Sequence, residues 1–330
     1  MAPAPILSRI GTYLFAWGKI PPTVASAVAL ARHAEQVGVD SLHTVWHFTL
    51  ESRSFTWGNR SVLDPFVLLP FVAARTERIK IALDPWTPAV MHPYFWAKFL
   101  ATLDVASGGR VIAGLRRSLA KDDFAIGNNS LDQAARSFDE GLDCITKLWA
   151  GKLLEQSDTV PWNVAGLQLE PLPAHRIPIW IGVDDEVGIE QAARWGDMLR
   201  PLFATTDEIM TLRRTLDVAQ AKHGRMVGIA HSTLCVVLDK EDRSEWVRDH
   251  LGALIEKRLR GRSPMTSIVY GEPEQCAEQI VKFVRSGVDY FLLDTQFHGW
   301  ESESYSREQI DRLVQTVAPL ISASDLHRMP

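Results

Sequence analysis

SGGRVIAGLRRSLAKDDFAIG, residues 107–127, is the stretch that decides the fold. Small residues at 107–109 lead into an apolar run at 111–113, which predicts a buried parallel strand. Two arginines, Arg116 and Arg117, stand at the carboxyl end of this strand, where α/β enzymes bind their ligands. A guanidinium presents its N–H donors in a planar fork that suits phosphate or carboxylate. The pattern alone also allows two solvated surface arginines, so the place of this strand in the fold decides their role.

Strand-like and helix-like segments alternate along the whole chain. The predicted strands are 6–17, 41–48, 79–84, 110–115, 177–183, 198–204, 227–238 and 288–294. The predicted helices are 24–39, 64–75, 93–105, 132–149, 186–195, 207–223, 241–259, 273–286 and one near 307–322. This order predicts a single (β/α)8 TIM barrel over residues 1–330, with insertions after strand 4 and strand 7. A doubly wound sheet is the alternative, but no G-x-G-x-x-G fingerprint follows the first strand.

Composition excludes several classes of protein. The 330 residues are 46% hydrophobic and 23% charged, which is typical of a globular protein, and the net charge of −5 argues against general nucleic-acid binding. No apolar run reaches about 18 residues and no leader pattern opens the chain, so we expect a soluble, cytoplasmic protein with no membrane contact. The three cysteines lie far apart in the sequence and predict neither disulfides nor zinc. His43 and His47 would lie about 13 Å apart on a strand, so we expect no metal.

The barrel fold predicts which residues are functional, because barrel enzymes place functional groups at the carboxyl ends of the strands. The residues that this criterion selects are Trp17, Trp46, His47, Asp84, Trp86, Arg116, Arg117, Asp184, Asp185, Gln296 and His298. Tryptophan is frequent, with 11 residues, and Trp17, Trp46, Trp57 and Trp86 all fall near the predicted mouth. Aromatic walls there would suit a flat, conjugated ligand, although any one of the four could be an ordinary core residue.

Seven stretches in order carry a family resemblance over nearly the whole chain. They are ALARHAEQVGVDSL (29–42), VLDPFVLLPFVAARTERIKI (62–81), HPYFWAKFLATLDVASGGRVIAG (92–114), RSFDEGLDCITKLW (136–149), IPIWIGV (177–183), AARWGDM (192–198) and YGEPEQCAEQIVKFVRSGVDYFLL (270–293). With them the chain resembles the bacterial luciferase-like superfamily, whose members are flavin monooxygenases and deazaflavin-dependent oxidoreductases. The resemblance implies a small organic substrate and a homodimer formed through the helices at 64–75 and 93–105.

The resemblance also implies roles for individual residues. His47, in VWHF, falls on the histidine of the family's acidic-His element and would act as general acid or base, with a structural histidine as the alternative. Trp46 stands where the family usually has the acidic residue. Asp84 and Trp86 would lie beside the cofactor, whereas Trp17, Trp46, Trp57 and His298 would line the substrate pocket.

The chain departs from the family pattern at the residues that would bind the cofactor phosphate. GLRRSLAKDDF places Arg117, with Arg116 beside it, on the arginine that contacts the flavin phosphate in luciferase, and it lacks the G-x-G-x-G-W form of the deazaflavin enzymes. Asp184, Asp185 and Glu186 stand where the family presents glycine and serine or threonine to the phosphate. Carboxylates there occupy the helix N–H donors and repel a dianion by about 1 kcal/mol or more per close pair. Either the arginines hold the phosphate in a shifted geometry, or Asp184 and Asp185 pair with Arg116 or Arg117 and the flavin site is degraded.

Three functions follow from the resemblance. The first is a two-component monooxygenase or oxidoreductase that takes reduced FMN from a partner reductase and reacts it with O2. The second is a hydride transferase that uses the deazaflavin coenzyme F420. The third is a flavin-independent or non-catalytic binding subunit, suggested by the acidic segment and by Trp46.

The general acid–base role of His47 predicts a large effect of one substitution. We expect His47→Ala to lower kcat by about 10²–10⁴, because a positioned proton donor or acceptor contributes that much to rate. Steady-state turnover of the wild type and the variant measures the effect. An unchanged rate would assign His47 a structural role.

Overall fold

A parallel β-sheet closed on itself forms the centre of the molecule. The computed structural model describes residues 4–14, 23–45, 63–117, 131–156, 162–183, 185–239, 266–295 and 303–326. The strands are β1 Ile10–Tyr13, β2 Ser41–Thr44, β3 Lys80–Trp86, β4 Val111–Arg116, β5 Ile179–Gly182, β6 Met198–Arg200, β7 Gly228–Val237, β8 Val269–Gly271 and β9 Tyr290–Asp294. β1 to β7 pair in sequence order, and β9 closes the ring between β7 and β1. The predicted eight-stranded (β/α)8 barrel is thereby confirmed.

Helices follow the strands around the outside of the barrel. They are α1 Val24–Val37, α2 Pro65–Ala73, α3 Pro93–Ser107, α4 Leu131–Trp149, α5 Glu186–Trp195, α6 Thr206–His223, α7 Pro273–Ser286 and α8 Glu303–Arg312. Among the described helices, none has the length and apolar character that crossing a membrane requires.

The strand that carries the arginine pair is held firmly at its amino end. Gly108 ends α3 in the left-handed conformation, with φ of 72°, and turns the chain toward β4. The buried guanidinium of Arg110 then donates to the backbone oxygens of Ala73, Ile79 and Ser107 at 2.7–2.9 Å. These bonds join the ends of α2 and α3 to the start of β4, so the position of its carboxyl end is well defined.

The first predicted strand, 6–17, is wrong over its first part. Pro5–Arg9 forms a 3-10 helix instead, with proline in its first turn, and the strand begins only at Ile10. Ile6 and Leu7 are buried at the amino-terminal face of the barrel, and their apolar character reflects this burial. Residues 15–17 of the prediction lie outside the described residues.

Two further differences concern β8 and the last helix, and two predicted segments lie outside the described residues. The short β8 was not predicted; it pairs with Cys235–Val237, where the ten-residue β7 extends past the barrel. The predicted helix at 241–259, and with it the insertion after strand 7, lies outside the described residues. After β4, residues 118–130 are also outside them. The described parts of 151–176, which belong to the insertion predicted after strand 4, contain neither helix nor strand. The last predicted helix begins earlier, as α8, and continues through a π turn, Leu313–Val317.

Side chains of the strands alternate between the helix-covered outside and the interior of the barrel. The outward residues join the main core with the helices, whereas an inner cluster contains Tyr13, Ala82, Ile112, Trp180, Ala230, Tyr290 and Leu292. The same alternation directs five polar residues inward, namely Ser41, His43, Asp84, Arg200 and Ser232, and all five are buried. A charged barrel interior is unusual, since buried charges need partners.

On the outside of β7, a buried histidine predicts how stability depends on pH. His231 packs against Phe283, with ring centroids 4.6 Å apart, and burial lowers its pKa from 6.5 to about 3. The native state therefore keeps this imidazole neutral, while the unfolded chain takes up a proton below about pH 6.5. The neutral imidazole therefore contributes to the free energy of unfolding above about pH 6.5. This contribution falls by about 2 kcal/mol between pH 7 and pH 5.

Urea unfolding of wild type and His231→Gln at both pH values measures this contribution. The variant cannot titrate at this position, so its loss of unfolding free energy on acidification should be smaller by about 2 kcal/mol. The comparison within each protein cancels the packing change caused by the substitution. An equal loss in both proteins would contradict the prediction.

Candidate active site

Three buried side chains from three strands meet inside the barrel. Asp84 of β3 accepts from His43 Nδ1 of β2 through Oδ2 at 2.8 Å, and its Oδ1 lies 2.8 Å from Arg200 Nη2 of β6. Asp84 and His43 have no exposed side-chain surface, and Arg200 is 4% exposed. Burial raises the pKa of Asp84, but Arg200 and His43 outweigh it and hold that pKa below its usual range. The carboxylate is therefore ionised.

The other members of the cluster complete its charge balance. Burial lowers the pKa of His43 and outweighs the opposing effect of Asp84, so the imidazole is neutral at pH 7. Arg200 Nη1 donates to the Tyr13 hydroxyl at 3.3 Å, and that hydroxyl lies 2.8 Å from Ser232 Oγ. The cluster thus holds one cation and one anion in contact, with neutral hydrogen-bonding groups around them.

Two glycines on neighbouring strands make room for the ion pair. An added Cβ at Gly114 of β4 would lie 2.3 Å from Asp84 Cγ, which is closer than atoms can approach. An added Cβ at Gly182 of β5 would lie 3.2 Å from Arg200 Nη2 and 3.4 Å from Arg116 Cγ. Gly114 therefore leaves the space that Asp84 fills, and Gly182 lets Arg200 approach β5 closely.

At the mouth, the two predicted arginines point in different directions. Arg116 shares the inward face of β4 with Gly114, and its positive charge contributes to the lowered pKa of Asp84 beneath it. Arg117, the next residue, instead forms an ion pair with Asp185. Asp185 is the N-cap of α5, and its carboxylate also accepts from the backbone N–H of Gly188 at 3.0 Å. Burial opposes ionisation of Asp185, but the Gly188 and Arg117 bonds prevail and lower its pKa.

The contacts of Asp185 determine whether a cofactor phosphate can bind at the amino terminus of α5. A phosphate binds such a terminus through free N–H groups and the positive end of the helix dipole. Here Asp185 accepts one of those donors, adds a negative charge, and is the partner of the guanidinium that would hold the phosphate. The described residues do not fit a phosphate at this place while Asp185 is ionised.

The described site differs from the predicted one in one further respect. Trp86 is fully buried and stacks on Trp96 of α3, with centroids 4.3 Å apart, because a register shift between Leu83 and Trp86 turns it to the outside of the barrel. Its placement does not support the predicted contact with a ligand in the mouth. Trp17, Trp46, His47, Trp57, Asp184, Gln296 and His298 lie outside the described residues.

Sequence reasoning missed His43 and Arg200, which are central to the buried cluster. The sequence suggests only a metal-ligand role for His43, whereas in the structure it shares the inward face of β2 with Ser41. Arg200 falls inside the predicted strand 198–204, whose pattern alone assigns it no role. A charged residue in the buried run Met198–Arg200 was the available signal, since a buried guanidinium needs a carboxylate and Asp84 ends the third predicted strand. In the part of the chain that the structure describes, no three His, Cys, Asp or Glu side chains are grouped to hold a metal.

The family follows from comparison with known proteins. Residues 7–290 match the family model described as luciferase-like monooxygenase. The chain belongs to this family. Because its relatives are named dehydrogenases, reductases and monooxygenases, it is an oxidoreductase.

Individual relatives span two kinds of chemistry. An F420-dependent glucose-6-phosphate dehydrogenase of Nocardia farcinica is 23% identical and covers 90% of this chain and 94% of its own. Limonene 1,2-monooxygenase of Rhodococcus erythropolis is 24% identical, over 79% of this chain and 74% of its own. Among solved structures, monooxygenase RslO1 from Streptomyces bottropensis superposes with a TM-score of 0.78 at 20% identity, covering 94% and 99% of the two chains. That structural likeness shows the shared fold.

The buried ion pair predicts a strong coupling between Asp84 and Arg200. Asp84→Asn leaves Arg200 buried without its counter-charge and should lower the free energy of unfolding by about 3–5 kcal/mol. The double variant Asp84→Asn/Arg200→Met removes both charges and should lose less than the sum of the single variants, by about 2 kcal/mol. Denaturant unfolding of the four proteins measures the coupling. Additive losses would show that the pair does not stabilise the barrel.

Proposed function

We propose that this chain is a cytoplasmic, single-domain oxidoreductase over residues 1–330 that uses reduced FMN to oxygenate a small organic substrate. A separate flavin reductase would supply the reduced flavin, and O2 would be the co-substrate. The observation that carries this proposal is the pair of guanidinium groups at the carboxyl end of β4. Arg116 is turned into the mouth and Arg117 toward α5. Cationic groups in a barrel mouth suit an anionic cofactor.

The chain's own residues would share the work in the following way. Bound reduced flavin supplies the electrons that activate O2. Arg116 would place its positive charge beside the bound flavin, whereas the amino terminus of α5 is closed to the phosphate by Asp185. His47 would hold or move a proton as general acid or base. Beneath them, the Asp84–Arg200 pair keeps the floor of the mouth rigid and polar.

A deazaflavin-dependent hydride transfer is the second candidate. The observation that favours it is the Nocardia farcinica relative, which covers 90% of this chain and is named F420-dependent. The longer anionic tail of that coenzyme could reach the same arginines without a phosphate at α5. The absence of the G-x-G-x-G-W pattern after β4 counts against it.

The Arg117–Asp185 pair predicts how the protein distinguishes flavins. Because Asp185 occupies Arg117, the wild type should bind FMN and riboflavin, which lacks the phosphate, with nearly equal affinity. Asp185→Ser frees the guanidinium and removes the negative charge at the start of α5. The variant should bind FMN about tenfold or more tightly than riboflavin, the effect of one charge-assisted contact. Fluorescence titration with both flavins, and with F420, measures these affinities.

Two further variants make the comparison specific. Asp207→Ser removes an acidic residue from the first turn of the neighbouring helix α6, so it controls for the change in net charge and should leave the FMN-to-riboflavin ratio at the wild-type value. Asp185→Ser/Arg117→Ala should lose the new preference for FMN. A wild type that already prefers FMN by tenfold would contradict the inference that Asp185 blocks the phosphate. Binding of F420 alone would support the second candidate, and binding of none of the three would refute a flavin function.

We further propose that the protein is a homodimer through α2 and α3. Val67 and Phe71 of α2 and Phe95 of α3 are 56%, 51% and 62% exposed, although all three are large and apolar. The two helices contact each other through Phe66 and Phe99, so the exposed residues belong to neighbouring surfaces. Apolar residues grouped in this way mark an interaction surface.

One substitution on this surface should separate the subunits. Phe95→Glu places a charge in the proposed interface and should convert a wild-type dimer into a monomer, measured by sedimentation velocity at micromolar concentration. Met226→Glu makes the same kind of change at an 87% exposed position before β7, and should leave the dimer intact. A monomeric wild type, or a dimeric Phe95→Glu variant, would refute the proposal.

A further inference from the structure

A continuous series of short polar contacts runs along the interior of the barrel from the buried cluster to the opposite face. His43 Nδ1 lies 2.8 Å from Asp84, and His43 Nε2 lies 2.9 Å from Ser41 Oγ. Ser41 Oγ lies 2.7 Å from the Tyr290 hydroxyl, which in turn lies 2.8 Å from Asp40 Oδ2. Five residues from β2, β3 and β9 therefore form four successive short contacts, which we call the relay.

The two ends of the relay lie on different sides of the molecule. Asp40 directly precedes β2, at the amino-terminal face, and forms an ion pair with Lys80 at 2.9 Å. The Asp40 side chain is 18% exposed and Lys80 is 49% exposed, so this end reaches solvent. Asp84 lies near the carboxyl end of β3, below Arg116 and the mouth. The relay thus links the solvent at one face with the floor of the mouth at the other.

Between its ends the relay is enclosed. Ser41 and His43 are fully buried, and the ring of Trp180 covers both His43 and Tyr290, with centroids 5.1 and 5.0 Å away. The barrel wall also makes room for it, because an added Cβ at Gly11 of β1 would lie 2.2 Å from Ser41 Oγ. Glycine at position 11 is what allows the serine hydroxyl to lie between the histidine and the tyrosine.

The number of protons in the relay differs from the number of its contacts. Two ionised carboxylates at the ends contribute no proton, while neutral His43, Ser41 and Tyr290 contribute one each. Three protons cannot fill four hydrogen bonds, so one contact always lacks a proton. A proton added at Asp40 fills the fourth contact, after which the protons can shift along the chain.

We infer that the relay is a proton conduit that connects solvent at Asp40 with His43 and Asp84 beneath the mouth. For a proton that enters, the Asp40 O–H bond breaks as Tyr290 accepts that proton and passes its own to Ser41. Ser41 then passes its proton to His43 Nε2, which leaves an imidazolium beside the Asp84 carboxylate and ionised Asp40 behind. The reverse sequence releases the proton. Every hydroxyl gives and receives one proton, so no tyrosinate or alkoxide forms.

The use of this conduit rests on the proposed function. Reactions in which a reduced cofactor and O2 or a substrate exchange electrons also change the number of bound protons. A conduit from the far face would supply or remove those protons without the passage of water through the mouth. Its existence can be tested without any cofactor, so failure of the conduit and failure of the flavin proposal are separate results.

The test measures how fast His43 exchanges protons with solvent. Protein labelled with ¹³C and ¹⁵N at histidine is titrated from pH 8 downward, and relaxation dispersion of the His43 ring signals measures the rate of protonation. Tyr290→Phe removes the hydroxyl that joins Ser41 to Asp40, and should slow this rate by about tenfold or more. Thr44→Val removes a buried hydroxyl of β2 that donates to the backbone oxygen of Ala82, outside the relay and the Asp84–Arg200 cluster, and should leave the rate unchanged.

A second pair of variants covers the case in which Tyr290→Phe does not fold. Ser41→Ala interrupts the relay at its next member and should slow protonation equally. Thr12→Val removes a buried hydroxyl of β1 that bonds to Leu293 on the outside of the barrel, and serves as its control. Equal rates in wild type and the relay variants would overturn the inference, as would equal slowing in the controls. A His43 that stays unprotonated down to the pH of unfolding would also overturn it.

Discussion

The contact between Asp84 and Arg200 is the interaction on which the interior of this barrel depends. A buried guanidinium and a buried carboxylate are each costly alone, and they stabilise the fold only when geometry and further hydrogen bonds satisfy both. Here β2 supplies His43 and β1 supplies Tyr13, while Gly114 and Gly182 leave the necessary space. Residues from six strands thus serve one ion pair, so the pair also fixes the relative register of those strands.

Much of the fold could be predicted from local patterns, and the errors have local causes. The barrel strands were found because buried parallel strands are continuous apolar runs, and α5 because its capping residue and apolar spacing agree. Pro5 redirected the first predicted strand into a 3-10 helix, which hydrophobicity alone does not reveal. β8 is only three residues long and forms because β7 offers an edge beyond the barrel, a tertiary effect.

The candidate site was predictable to the extent that it depends on strand ends. Arg116 and Arg117 were selected because they end β4, and capture of Arg117 by an aspartate was already one of two open interpretations. The structure assigns that role to Asp185, 68 residues away in sequence. His43, Arg200 and Tyr290 were not predicted, because their partners are set by the closure of the barrel. Ser41 and Tyr290 are 249 residues apart, and only the pairing of β9 with β1 brings them together.

Strand β4 connects the buried cluster with the mouth through the alternation of its side chains. Gly114 and Arg116 face inward, so one residue leaves room for Asp84 and the other places a positive charge above it. Arg117 faces outward and is held by Asp185 at the start of α5. A slip of one residue in β4 would put a side chain into Asp84 and turn both arginines to the wrong side. The bonds of Arg110 at the amino end of β4 oppose such a slip. Contacts at the amino-terminal face of the barrel thus determine which way Arg116 and Arg117 point at the mouth.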